Sequence, residues 1–272
     1  MSEQALDFDR GPSWLPALHR HVAQDLPADF VDSIKRLGPE EPTSLQVALP
    51  HLLDEARLFA SVREWVTARD VLVYHGTRIN ERQRSAILRL GLLPLNASDR
   101  VESITEFLCA HPRWAEVEGN LPEAIDWVRR NAGNRERLVY GCLSRNGLVR
   151  GCNHYLVEGP EFDHHVAVRL LGEVSHELNR QRGVGSLVVF RADGAAAIDA
   201  ANPHEESGSG TNLIAELVAA LGWWLATGDD ETAAFDEDCA LAFKAAISPD
   251  RIEAIIPVPD EELWEYYDGR ED

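Results

Sequence analysis

Leu49, Leu52, Ala56, Phe59, Val62 and Val66 recur at steps of three and four residues, the spacing that puts side chains on one face of an α-helix. The pattern predicts one long amphipathic helix there, with Pro50 tolerated near its start. Shorter helices are predicted around Trp14–Val22 and Phe30–Leu37, separated by Pro27 and closed by the Gly38-Pro39 and Glu40-Glu41-Pro42 breaks. At Asp70 the character changes. Val71-Leu72-Val73-Tyr74 is a compact branched and aromatic run, which predicts a buried strand ending at His75-Gly76-Thr77. Asn80 then caps a helix to Leu90, Gly91 closes it, and Leu92-Leu93-Pro94 returns in extended form.

Farther along, Ser103 followed by Glu106 fits a capping box, and Pro122–Arg130 reads as a helix. Short runs rich in branched and aromatic residues predict strands at Leu138–Leu143, His154–Val157 and Leu187–Phe190. Val166, Leu170, Leu171, Val174 and Leu178 predict one helix, and Leu213, Leu217, Leu221, Trp224 and Leu225 another. Two late apolar segments, Ala240–Ala246 and Ile252–Val258, are joined by the turn-like Ser248-Pro249-Asp250-Arg251 and are expected to pair or lie close in one sheet. The order is mixed α+β, with a helical N-terminal region over 1–68 and the sheet-bearing part over 69–272.

Composition narrows the partners. A formal net charge of −20 opposes bulk binding to nucleic acid or to an anionic membrane, because both draw affinity from basic groups. With 44% hydrophobic and 26% charged residues, the chain still carries enough apolar surface to fold. The longest apolar stretch, Leu217–Ala226, has ten residues, half of what a membrane-spanning helix needs. The acidic start MSEQALDFDR has no basic-then-apolar leader, so a cytoplasmic location is expected, with Cys109, Cys142, Cys152 and Cys239 as thiols.

The P-loop, Rossmann and nucleophile-elbow signatures are missing, and Gly208-Ser209-Gly210-Thr211 reads as a linker into a helix cap. No metal site is predicted: His176-Glu177 has no second histidine at helical spacing, and the adjacent His164 and His165 point to different faces.

The most informative segment is Val71-Leu-Val-Tyr-His-Gly-Thr-Arg78, followed by a helix and Gly91-Leu-Leu-Pro-Leu95. It resembles the first catalytic motif of the ADP-ribosyltransferase superfamily, in the branch of diphtheria toxin and the poly(ADP-ribose) polymerases. A second segment, Gly151-Cys-Asn-His-Tyr-Leu-Val-Glu-Gly-Pro-Glu-Phe162, resembles that family's strand-to-helix motif with its aromatic residue. The resemblance implies a mixed-sheet ADP-ribosyltransferase-like core and NAD as co-substrate. It implies transfer of ADP-ribose to a protein or nucleic acid, as in bacterial toxins and antiviral effectors, with a cognate inhibitor as a further partner.

By that resemblance Tyr155 stacks on nicotinamide, the Gly76 backbone holds the carboxamide, and His75 and Thr77 bind ribose, with Tyr74, Arg78 and His154 completing the cofactor-binding set. Breaking the glycosidic bond through an oxocarbenium-like state calls for a carboxylate. In the third motif the family's glutamate falls at Cys239 or Ala240 here, leaving Glu237, offset by two or three residues, or Glu161 as the candidates. Each residue also has a plainer reading: His75 closing a strand, Tyr155 as a half-buried strand aromatic, Glu161 favoured by a helix dipole, Glu237 solvated in an acidic run. An NAD glycohydrolase and a catalytically inactive partner-binding module are the alternatives. Any nucleic-acid acceptor requires a local basic surface, for which Arg78, Arg82, Arg84 and Arg89 are the candidates.

Overall fold

The computed structural model describes residues 5–38, 45, 55–131, 136–201, 211–229 and 239–266. Helix α1 (Gly11–Val22) starts with a proline in its first turn and buries Trp14, Leu15, Leu18 and Val22 as one stripe. Helix α2 (Phe30–Leu37) stops where Gly38 turns left-handed at φ 58° and donates its N–H to the Lys35 carbonyl. Helix α3 (Glu55–Thr67) buries Leu58, Val62, Trp65 and Val66. The first part of that predicted helix, with Leu49 and Leu52, lies outside the described residues.

Strand β1 (Asp70–Ile79) is longer than expected and runs through His75-Gly76-Thr77 instead of ending there. Ladder pairing extends it until Asn80, whose side chain leaves the strand to cap α4 (Glu81–Leu90). The cap is reciprocal, Asn80 accepting from the Gln83 N–H while the Gln83 carboxamide accepts from the Asn80 N–H. After Gly91, Leu92 forms an antiparallel bridge with Ile247. Helix α5 (Ala97–Leu108) is capped by Asn96, which accepts from the Ser98 N–H. The expected capping box at Ser103 and Glu106 is therefore wrong: both lie inside a helix whose free amides belong to an earlier turn. The short α6 (Trp114–Val117) and α7 (Leu121–Asn131) follow, then β2 (Val139–Cys142) and a π turn over Gly147–Gly151.

The predicted strand at His154–Val157 is a helical turn, α8 (His154–Val157). Its amides are satisfied locally, Leu156 and Val157 donating to the Asn153 carbonyl and Glu158 to that of His154. A four-residue apolar run carries too little periodicity to separate the two outcomes. The predicted helix spanning Val166 to Leu178 is two helices, α9 (Glu161–Leu171) and α10 (Ser175–Arg180), parted by a 3₁₀ turn at Gly172–Val174. Strand β3 (Val184–Asp193) leads into α11 (Gly194–Ala200), capped by Asp193. The apolar α12 (Thr211–Thr227), β4 (Ala240–Phe243), β5 (Ile252–Pro257) and α13 (Asp260–Tyr266) complete the order.

The architecture is mixed α+β around a five-stranded antiparallel sheet of order β4-β2-β1-β3-β5, with Tyr74 of β1 opposite Cys142 of β2. The late segments share this sheet without pairing, since β4 and β5 are its two edges. The chain divides into two compact units, one drawn from residues 1–74, 140–151 and 190–243, the other from 75–139, 152–189 and 244–272.

In the first unit α12 packs against α1, α2 and α3. The Trp14 ring lies 6.0 Å from that of Phe8 and 6.4 Å from that of Trp65, and its indole N–H donates to the Phe8 carbonyl. Asp9 accepts from the Ser144 hydroxyl at 2.6 Å and the Arg145 N–H at 2.7 Å, fastening the N-terminal segment to the loop after β2. In the second unit α9 packs on α7 and α10 over a core containing Ile104, Leu108, Val128 and Val166. Each such fully buried branched side chain contributes roughly 1.5–3 kcal/mol by leaving water. Beside that core, the fully buried Asp163 carboxylate pairs with both Arg100 and Arg182.

Candidate functional site

Strand β1 presents the predicted cofactor-binding residues unevenly. Tyr74, Thr77, Arg78 and Ile79 are buried, and the two consecutive half-buried positions are His75 and Gly76. The Tyr74 hydroxyl donates to Asp7 at 2.9 Å. Burial first, then the nearby carboxylates of Asp7 and Asp9, push its ionisation far above the usual phenol range, so it serves as a neutral donor. The Arg78 guanidinium donates to the Arg180 carbonyl at 2.8 Å and the Leu156 carbonyl at 3.2 Å, and it meets both Asp260 oxygens at 3.2 and 3.3 Å. It is a strut of the second unit.

The remaining predicted residues fall on α8 and α9. Tyr155 is half-buried, with its ring centroid 3.9 Å from that of the exposed His154. The structure links this turn to β1 through Arg78 and Leu156. Glu161 opens α9 and lies 3.3 Å from the His165 ring one turn on, a structural pairing at a helix start. Glu237 lies outside the described residues. Of the four arginines expected to form a basic surface, Arg78 is buried, Arg82 pairs with Glu106 and Arg84 donates to the Ile255 carbonyl.

A second constellation was not foreseen from spacing. Among the described residues Glu158, His164 and His176 bring one donor atom each to within 4.8 Å of the others. Glu158 follows α8, His164 lies in the second turn of α9, and His176 is at the start of α10. Two left-handed glycines make the convergence: Gly159 at φ 82° turns the chain from α8 into α9, and Gly172 at φ 68° folds α10 back beside it. Gaps of six and twelve residues match no single-helix spacing. The readable signal was Gly172 inside an apolar helical pattern, a breaker that lets His176 return toward His164.

The geometry is tight. Glu158 Oε1 lies 3.1 Å from His176 Nδ1 and 3.9 Å from Arg180 Nη2, while Oε2 lies 3.5 Å from His164 Nδ1. The fully buried Asn179 reaches both partners with Nδ2, 3.3 Å from Glu158 Oε2 and 2.9 Å from His164 Nδ1. Burial of Glu158 works to raise its pKa, but hydrogen bonds and charge from His164 and His176 outweigh it and hold the carboxyl at about 2. The group is thus an anion flanked by imidazole nitrogens. A cavity of about 150 Å³ is lined by Val157 and Glu177, the chain neighbours of Glu158 and His176, and by Arg78 and Arg180.

No known family, no curated protein and no solved structure matches the chain.

Proposed function

We propose that the chain is an NAD-dependent ADP-ribosyltransferase that carries ADP-ribose to a macromolecular acceptor. The observation that supports this reading best is the accessibility of β1: His75 and Gly76 are the two half-buried positions in a stretch where Tyr74, Thr77, Arg78 and Ile79 are closed off. A backbone amide and an imidazole at neighbouring half-buried positions suit a carboxamide and a ribose hydroxyl in chemical type. In this reading His75 and Gly76 bind NAD and Tyr155 supplies the aromatic face. Thr77, being buried, supports the strand, and Tyr74 and Arg78 stiffen it through Asp7 and Asp260.

A second reading, an NAD-binding module without transferase activity, is favoured by Cys239 or Ala240 at the position where the family carries its glutamate and by the engagement of Glu161 with His165. Incubation with radiolabelled NAD and a cell extract separates the readings. The transferase reading expects labelled macromolecule in the wild type, abolished by His75→Ala and reduced at least tenfold by Tyr155→Ala. Nicotinamide release with nothing labelled identifies a glycohydrolase, and NAD binding without turnover identifies the inactive module. If the wild type neither binds nor consumes NAD, all three fail.

A further inference from the structure

We propose that Glu158, His164 and His176 form a binding site for a divalent transition-metal ion of the zinc class. The site is independent of the NAD reading. Two imidazoles and a carboxylate are a donor set that zinc takes in three-ligand sites, and nitrogen with oxygen donors suits first-row divalent metals in general. A tetrahedral ion with ligand bonds of about 2.1 Å keeps its ligand atoms about 3.4 Å apart. Each imidazole stands near that separation from one carboxylate oxygen, His176 Nδ1 3.1 Å from Oε1 and His164 Nδ1 3.5 Å from Oε2, and one donor atom from each of the three residues lies within 4.8 Å of the others.

The hydrogen bonding points the same way. His164 Nδ1 faces a donor, Asn179 Nδ2 at 2.9 Å, and an acceptor, Glu158 Oε2 at 3.5 Å. One ring nitrogen carries either a proton or a lone pair, so it satisfies one neighbour and opposes the other. Asn179 adds a second mismatch, since its Oδ1 is buried with no hydrogen-bond partner. Turning that carboxamide by half a turn puts Oδ1 in the place of Nδ2, between His164 Nδ1 and Glu158 Oε2, where three electron-rich atoms then face one another. A cation among them relieves that crowding: both imidazoles act through lone pairs, and the Glu158 carboxylate and the Asn179 oxygen face positive charge.

The position also fits a resident ion. Glu158 is buried, whereas His164 and His176 are half-buried, so the donors are held by the core and still reachable. Three protein ligands leave one tetrahedral position for water or for Asn179.

Full-length protein stripped with a chelator is titrated with Zn²⁺ by calorimetry and with Co²⁺ by visible absorption. The site predicts one equivalent bound with micromolar or tighter affinity, intense d–d bands of four-coordinate Co²⁺, and a thermal midpoint that rises with Zn²⁺ concentration. His164→Gln and His176→Gln each lower affinity at least a hundredfold and bleach the Co²⁺ bands, while the neighbouring His165→Gln changes neither. Circular dichroism of the stripped variants confirms that they fold; if His164→Gln does not, His176→Gln, at a side chain 30% exposed, decides. Binding that is absent in the wild type, or that survives both substitutions, overturns the proposal.

Discussion

Arg78 is the clearest place to test the reading of β1, because the residue is 5% exposed and its guanidinium bonds two carbonyls and Asp260. Arg78→Met keeps the aliphatic stem packed and deletes only the charged head. Two carbonyls, those of Arg180 and Leu156, then lose their donor, at about 1–3 kcal/mol each. Asp260, whose side chain is 54% exposed, recovers water and adds at most about 1 kcal/mol. The expected loss is therefore about 4 kcal/mol, which lowers the thermal midpoint by roughly 10 °C in a chain of this size. Urea and thermal unfolding followed by circular dichroism measure it, with Asp260→Asn as the companion variant, expected to cost about 1 kcal/mol or less. If Arg78→Met unfolds within about 1 kcal/mol of the wild type, the two carbonyl bonds are not what anchors β1. If Asp260→Asn costs as much as Arg78→Met, the ion pair and not the carbonyls holds the energy. A stable Arg78→Met protein that has lost NAD affinity would make Arg78 a ligand contact and refute its role as a strut.

Two further outcomes follow from buried charge. Asp163→Ala strands Arg100 and the nearly inaccessible Arg182, so a loss of about 3–5 kcal/mol is expected in urea unfolding, part of which Arg182→Met restores when combined with it; additive losses would argue against a shared network. Asp9 titrates above the ordinary carboxylate value because burial outweighs its bonds to Ser144 and Arg145. Its raised folded pKa gives a contribution that is fully present below the unfolded value and lost as pH rises through the folded one. Unfolding midpoints of Asp9→Asn relative to wild type therefore shift in favour of the variant from pH 4 to pH 7, and a pH-independent difference would contradict the assignment.

How far the sequence carried is clear from particular residues. The helix ending at Gly38, and both ends of the one that opens at Asn80 and closes at Gly91, were legible because a glycine or a polar side chain settles each terminus within a few residues. The start of β1 was legible for the same local reason. The end of β1 was not, because pairing with neighbouring strands, and not the polarity of His75-Gly76-Thr77, decides how far a strand continues. Residues 154–157 went to a helical turn through bonds to Asn153, which no alternation of apolar residues encodes. For the sites, sequence motifs singled out His75 and Tyr155, whereas the carboxylate–histidine cluster depends on two left-handed glycines that reverse the chain. Spacing along one helix cannot reveal a group assembled from three segments.

The interleaving of the two compact units has a consequence for how the protein is made. The chain passes from one unit to the other after Tyr74, Val139, Gly151, Val189 and Phe243, so neither is a continuous stretch that a single cut would release. A fragment beginning at residue 69 lacks α1, α2 and α3, and no N-terminal fragment ending before Phe243 holds every segment of the first unit. On the ribosome, the usual order in which an N-terminal domain closes before its successor emerges is therefore denied to this chain. Its helices can form as they appear, but both units wait for strands made late in synthesis.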